Sequence, residues 1–163
     1  MNQKTLLKKL NYGQTYFNTI IQQIVDKEKT TEIITNKWTI KDVLQHLTWY
    51  NIEVTEALKN KSLMKSEFWR QGIDERNEII FNKSTNESFM NVKSKYDSSY
   101  KDLIKEIEKL NDTDLNSDNF LEFEILKNSG GPRKVFEFIL GNSSPHHYLE
   151  HVDDLIERFN LSY

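Results

Sequence analysis

The chain of 163 residues predicts an all-α fold, a four-helix bundle, on three observations. Only two prolines and five glycines interrupt a sequence rich in Lys, Glu, Leu and Ile, a composition that favours helices over turn-rich β architecture. Apolar residues recur at three- and four-residue steps in four separate segments, which is the period of one helical face. The length suits one domain whose core can form without disulfides or metal staples, so residues 1–163 are expected to be a single bundle domain.

The first helix is expected from Thr5 to Val25, where Leu6, Leu10, Phe17, Ile20, Ile21 and Ile24 form the stripe and Gly13 is a weak point. A polar stretch leads to "WTIKDVLQHLTWYNIEVTEALKN". There Thr39 can cap, and Asp42 three residues later complements the exposed N–H groups, so a second helix should run from Ile40 to about Leu58. Lys59 to Phe81 is too apolar for a free linker and is read as a packed loop with a short helix. Ser84 and Glu87 form a Ser-x-x-Glu box ahead of Phe89, Val92, Tyr96, Leu103, Ile107 and Leu110, which predicts a third helix over roughly Thr85 to Leu110. "NFLEFEILKNSGGP" alternates enough for a short extended stretch, broken by its glycines and proline. "RKVFEFILGNSSP" predicts a further short helix stopped by Gly141. The last helix begins with Ser144 as cap and Pro145 at the first helical position, and Tyr148, Val152, Leu155, Ile156 and Phe159 are its stripe.

Composition narrows the chemistry. With no cysteine, thiolate zinc sites, disulfides and a cysteine nucleophile are all excluded, so any metal must use nitrogen and oxygen ligands. The 25 acidic and 22 basic side chains form no basic block, which argues against a nucleic-acid partner. No stretch approaches the roughly twenty apolar residues of a membrane span, nor does the first segment carry a secretion-type apolar run. A cytoplasmic protein without a membrane partner is the expectation.

Three of the four histidines lie in "SPHHYLEHVDD". His147 and His151, four residues apart, project from one side of the last helix, whereas His146 and Glu150 point away from the apolar stripe. His46 lies beside Val43, Leu47 and Tyr50 at the edge of the second helix's apolar face. A His-x-x-x-His pair plus one imidazole from a facing helix supplies the three ligands of a catalytic zinc-type site. Such pairs also occur as ordinary surface residues, and a lone histidine as a hydrogen-bonded boundary residue, so spacing alone leaves the choice open.

Beyond spacing, "WTIKDVLQHLTWY" resembles the Trp-Ser/Thr-x-Lys/Arg-Asp/Glu-x-x-x-His start of the second helix in the DinB-like superfamily, and "HHYLEH" resembles its closing His-x-x-x-His. "RNEIIFNKSTNESFMNVKSKYDSSYKDLIKEIEKLNDTDL" is similar to the ClbS/DfsB branch of these four-helix bundles. The resemblance covers about Trp38 to Asp154. It implies that His46, His147 and His151 are ligands to a divalent metal, zinc or nickel. It further implies a small-molecule substrate, because the superfamily contains thiol-dependent transferases and hydrolases using small thiol cofactors. The ClbS/DfsB branch includes proteins that hydrolyse electrophilic natural products for self-protection. The chain itself carries no obvious thiol-cofactor signature.

Neighbouring residues then acquire candidate roles. Asp42, one turn before His46, could receive that ring's second N–H, and Asp154 could do so for the histidines of the last helix. Tyr50 and Glu53 are candidates for proton transfer or substrate orientation. Trp49, Phe68, Trp69 and Phe81 could wall an apolar pocket. Exposed bundle faces leave room for a homodimer. The competing expectation is a non-catalytic stress-response or ligand-binding bundle in which the same histidines are structural.

Overall fold

The computed structural model describes residues 1–35, 37–84, 86–123, 132–143 and 145–161, the side chains of residues 35, 84, 145, 146, 148–151 and 154 excepted. Almost all of this is helix. α1, Gln3–Asp26, starts where the Asn2 side chain accepts a hydrogen bond from the Thr5 N–H, and it buries Leu6, Leu10, Phe17, Ile20, Ile21 and Ile24. That spacing is the sequence stripe, so burial follows the pattern residue by residue.

A small antiparallel ribbon follows, β1 (Ile33–Thr35) on β2 (Trp38–Thr39), with Ile33 opposite Thr39. Strands of three and two residues leave too short an alternation to read from sequence. The ribbon delivers Thr39 in extended conformation directly to the N-terminus of α2, Ile40–Asn60. Thr39 and Asp42 form a reciprocal capping box there, in which Asp42 Oδ2 accepts from the Thr39 N–H at 2.9 Å and its hydroxyl at 2.8 Å. Lys61, in the left-handed conformation at φ 50°, ends the helix.

The region after α2 matches the expected loop and short helix, and it corrects where the next helix begins. It is a 3₁₀ turn at Glu67–Arg70 followed by a twelve-residue helix, α3, Ile73–Ser84. The Ser84–Glu87 box does not start the next helix: Ser84 is the last residue of α3, and α4, Phe89–Ile107, is capped by Ser88, whose side chain accepts from the Asn91 N–H. Glu87 pairs with Lys95 instead. Ser88 holds the cap because its backbone is extended and its hydroxyl reaches an exposed N–H of the first turn. α4 also stops short of Leu110, which remains buried beyond the helix end.

The acidic turn then contains a short helix of its own, α5 (Asp112–Asn116), with a capping box between Asn111 and Asp114. Most of the expected extended stretch, residues 124–131, lies outside the described residues, as does the expected cap Ser144. α6 spans Val135–Ser143 and passes through Gly141, so that glycine is not a stop. Nothing lies within 4 Å of a Cβ built there, which leaves no steric reason for the helix to end at that point. α7, Pro145–Phe159, closes the chain's helical part.

α2 is the organising element. It packs against α4, α3 and α6, while α1 packs against α7 and α6 against α7. Surrounded on several sides, α2 buries its polar flank as well as its apolar face: Asp42, Gln45, His46, Thr48, Asn51 and Thr55 all lie below the surface. The core forms two apolar clusters. One joins α1, α2, α4 and α7 through Phe17, Leu44, Tyr96 and Leu155, and the other joins α2 to α6 through Tyr50, Trp69 and Phe138. Among the described residues, no helix is long and apolar enough to cross a membrane.

Candidate metal centre

His46 lies in the second turn of α2, a register fixed by the Thr39–Asp42 cap. The sequence placed it at the edge of an apolar face; in the structure it is buried, 5% exposed, because neighbouring helices cover that edge too. His147, half-buried, is the third residue of α7. The two rings meet edge to face, their planes at 88°, and their Nε2 atoms are 2.7 Å apart.

The other nitrogen of His147 determines what this contact means. Its Nδ1 lies 3.1 Å from the Asn142 carbonyl oxygen in the last turn of α6. A carbonyl can only accept, so Nδ1 carries the proton and donates it, leaving the Nε2 lone pair directed at His46. Holding a ligating imidazole by its far N–H is how metal sites fix tautomer and ring orientation. Two imidazole ligands of one ion, each about 2.0–2.1 Å from it, stand about 2.9–3.4 Å apart across right-angled to tetrahedral arrangements. The observed separation is a few tenths of an ångström below that range. His46 and His147 therefore stand slightly closer than two ligands of one ion would, and they would have to part a little to share one. The same separation suits one Nε2–H···Nε2 hydrogen bond with His46 as donor.

The third expected ligand, His151, follows His147 by one turn on the backbone of α7, and its side chain lies outside the described residues, as do those of His146, Glu150 and Asp154. Among the described residues no group of three His, Cys, Asp or Glu side chains converges. Asp42 is buried and caps α2 through Oδ2, and the expected hydrogen bond from the His46 ring to Asp42 is not formed, since the buried Nδ1 of His46 makes no hydrogen bond among the described residues.

Tyr50 completes the visible constellation. Its ring is 4.8 Å from that of His46 and 5.0 Å from that of His147, with the His147 plane perpendicular to it. Burial pushes the Tyr50 phenol above its ordinary value of 10.0, and the Arg76 guanidinium pulls it part of the way back. The phenol therefore stays protonated at neutral pH and can donate a proton or a hydrogen bond, not accept a proton as a base.

The aromatic candidates form a continuous wall behind Tyr50. Phe68 packs edge-on to Tyr50 at 5.1 Å and Trp69 at 6.2 Å, and Trp49 stacks on Phe68 at 6.4 Å. Phe81 instead stacks on Trp38 at 6.2 Å, and Trp38 in turn meets His46 edge to face at 5.4 Å. Glu53, one turn past Tyr50, lines a different opening, a cleft of about 350 Å³ with Ala57, Asn60, Lys65 and Trp69. It has no hydrogen bond to either histidine.

Two site neighbours escaped the sequence. Trp38 reaches His46 from the ribbon, whose two-residue strand carries no periodic signal. Arg76 sits on α3, 9% exposed, with its guanidinium over the rings of Tyr50, Phe68 and Trp69. Arg76 and Ile80, four residues apart, share the buried face of α3 while Ile73 is exposed, and an arginine on that face reads as a break in the stripe.

No protein-family model matches this chain, and neither a curated protein nor a solved structure matches it.

Proposed function

We propose that the chain is a DinB-like four-helix bundle of the ClbS/DfsB kind, a cytoplasmic enzyme that hydrolyses a small electrophilic compound or transfers it to a small thiol. A divalent ion, zinc or nickel, is held by His46, His147 and His151. The observation that carries this reading is the His46–His147 apposition, with Nε2 facing Nε2 at 2.7 Å and the His147 ring oriented by the Asn142 carbonyl. A bound divalent ion supplies Lewis acidity and lowers the pKa of water towards about 7.

The chain's own residues supply the rest. Tyr50, protonated and beside both imidazoles, donates to the heteroatom that leaves the electrophilic carbon. Water adds its oxygen to that carbon as the carbon–heteroatom bond breaks, and the proton it loses restores the phenol. The wall of Phe68, Trp69 and Trp49 gives an apolar substrate body a surface and limits competing water.

The separation of 2.7 Å also favours a second reading, a hydrogen-bonded histidine pair in a non-catalytic bundle. Metal analysis of untagged protein, equilibrated with zinc or nickel and then dialysed, separates the two. The enzyme reading expects close to one ion per chain, lost in His147→Ala. A wild-type protein that retains no ion supports the hydrogen-bonded pair and overturns the metal site.

A further inference from the structure

Arg76 is a buried cation without a hydrogen-bonding or ionic partner among the described residues. It is 9% exposed, its Nε alone of the three guanidinium nitrogens is fully covered without a hydrogen bond, and among the described residues no carboxylate pairs with it. Charged groups rarely stay buried without a counter-charge, and guanidinium cannot escape by losing its proton. Three rings face it, Phe68 at 5.1 Å, Trp69 at 5.7 Å and Tyr50 at 5.8 Å. Cation–π attraction offsets part of the burial cost, but ring faces accept none of the five N–H donors in the usual hydrogen-bonding sense. Trp69 adds a second orphan, since its indole N–H is also buried with no acceptor. Donors without acceptors, on apolar walls, describe a site made for an anion with an apolar body.

We propose that Arg76 binds the carboxylate of a small, largely apolar acid, with the rings of Tyr50, Phe68 and Trp69 packing the body of that ligand. Carboxylate is the favoured anion because the planar guanidinium fork matches it in bidentate fashion. The aromatic wall suits an apolar remainder and would waste contact on a bare, strongly hydrated inorganic ion. Arg76 belongs to α3 and the proposed ligation to α2 and α7, so this inference stands without the metal reading. If both hold, Tyr50 links them, because its ring lies 4.8 and 5.0 Å from the two histidine rings and 5.8 Å from the Arg76 guanidinium carbon.

The test uses the full chain in EDTA, with benzoate as probe, benzamide as its neutral counterpart, and inorganic phosphate as a bare anion. Saturating benzoate should raise Tm by at least about 2 °C and change tryptophan fluorescence, with benzamide and phosphate giving much less. Arg76→Met should fold at least as stably as wild type, having lost an unpaired buried charge, and should lose the benzoate response. Arg76→Lys should keep only a fraction of it, since the fork is gone. His46→Ala should keep the benzoate response in full, which separates this site from the metal site. Equal shifts with benzoate and benzamide, a response to phosphate alone, or an unchanged benzoate response in Arg76→Met would each overturn the proposal. So would the absence of any benzoate response in wild type, which would leave buried water as the partner of these donors.

Discussion

The Nε2 atoms of His46 and His147 stand 2.7 Å apart although 101 residues separate them along the chain. Helix α2 holds one ring and the junction of α6 with α7 holds the other, so the contact depends on how three helices pack. If an ion binds there, zinc should raise the thermal midpoint at neutral pH, by about 2.7 kcal/mol of stability at a hundredfold excess over Kd. His46→Ala should remove most of that gain, and His146→Ala should leave it nearly intact. Thermal melts with and without zinc decide the matter. Equal zinc gains in wild type and His46→Ala would sink a site built on this pair.

The same gain should fade in acid. Imidazole must be neutral to ligate, and its unperturbed pKa is about 6.5, so zinc affinity should fall steeply below that pH. Titrating the zinc-dependent midpoint shift from pH 7.5 to about 5 tests this. A gain that persists undiminished at pH 5 would mean carboxylate ligands hold the ion.

Asp42 gives a separable effect. Its carboxylate caps α2 at Thr39, so Asp42→Ala should destabilise by about 1 kcal/mol through the lost cap alone. Asp42→Asn keeps an acceptor oxygen and should recover most of that loss. Because the buried Nδ1 of His46 makes no hydrogen bond to Asp42, Asn should restore zinc affinity along with stability. Parallel recovery of both in chemical denaturation and zinc titration would limit Asp42 to the cap.

The long helices were legible where a regular stripe met a clear cap. α1 and α2 follow their apolar periods, and Thr39 with Asp42 starts α2 as a capping sequence should. The start of α4 was not, because Ser84 and Ser88 each precede a plausible first turn and only the length of α3 decides between them. The short helix expected between α2 and α4 is α3, but its bounds and the inward place of Arg76 were not legible, because the neighbours of that charge are rings from other segments. Local pattern carries a helix; it does not carry which flank of that helix its neighbours will cover. For the same reason His46 read as a boundary residue and is buried, and its apposition to His147 came from resemblance and not from spacing.

Phe138 ties stability to the site. It is fully buried on α6, its ring 5.0 Å from that of Trp69, and α6 supplies the Asn142 carbonyl that orients His147. Phe138→Ala should cost about 3–5 kcal/mol through the cavity it leaves. Loosening α6 should also weaken the hold on the His147 ring, so the zinc-dependent gain should shrink in this variant. Phe138→Leu, which refills most of the space, should restore both together. Restored stability with a persistently reduced zinc gain would mean that the site needs the ring itself and not the support of α6.

The Tyr50 phenol sets an alkaline limit. Its pKa is raised in the folded protein by burial, the larger effect, against partial lowering by Arg76. When the unfolded chain titrates at the ordinary value of 10.0, the folded chain still keeps its proton. The folded state then binds more protons than the unfolded one, so stability falls as pH rises through this window. Below pH 10 the contribution is fully present, and above the folded pKa it is gone. Tyr50→Phe, which cannot ionise, should therefore show a shallower loss of stability as pH rises above 10 in urea denaturation. At neutral pH the same variant should remain folded and keep its zinc-dependent gain, because only the hydroxyl is removed from a ring that packs on both histidines. A turnover assay then assigns the hydroxyl its role: retained metal with activity lost by about a hundredfold or more makes it the proton donor. Full activity in Tyr50→Phe would return Tyr50 to a purely packing part in the wall.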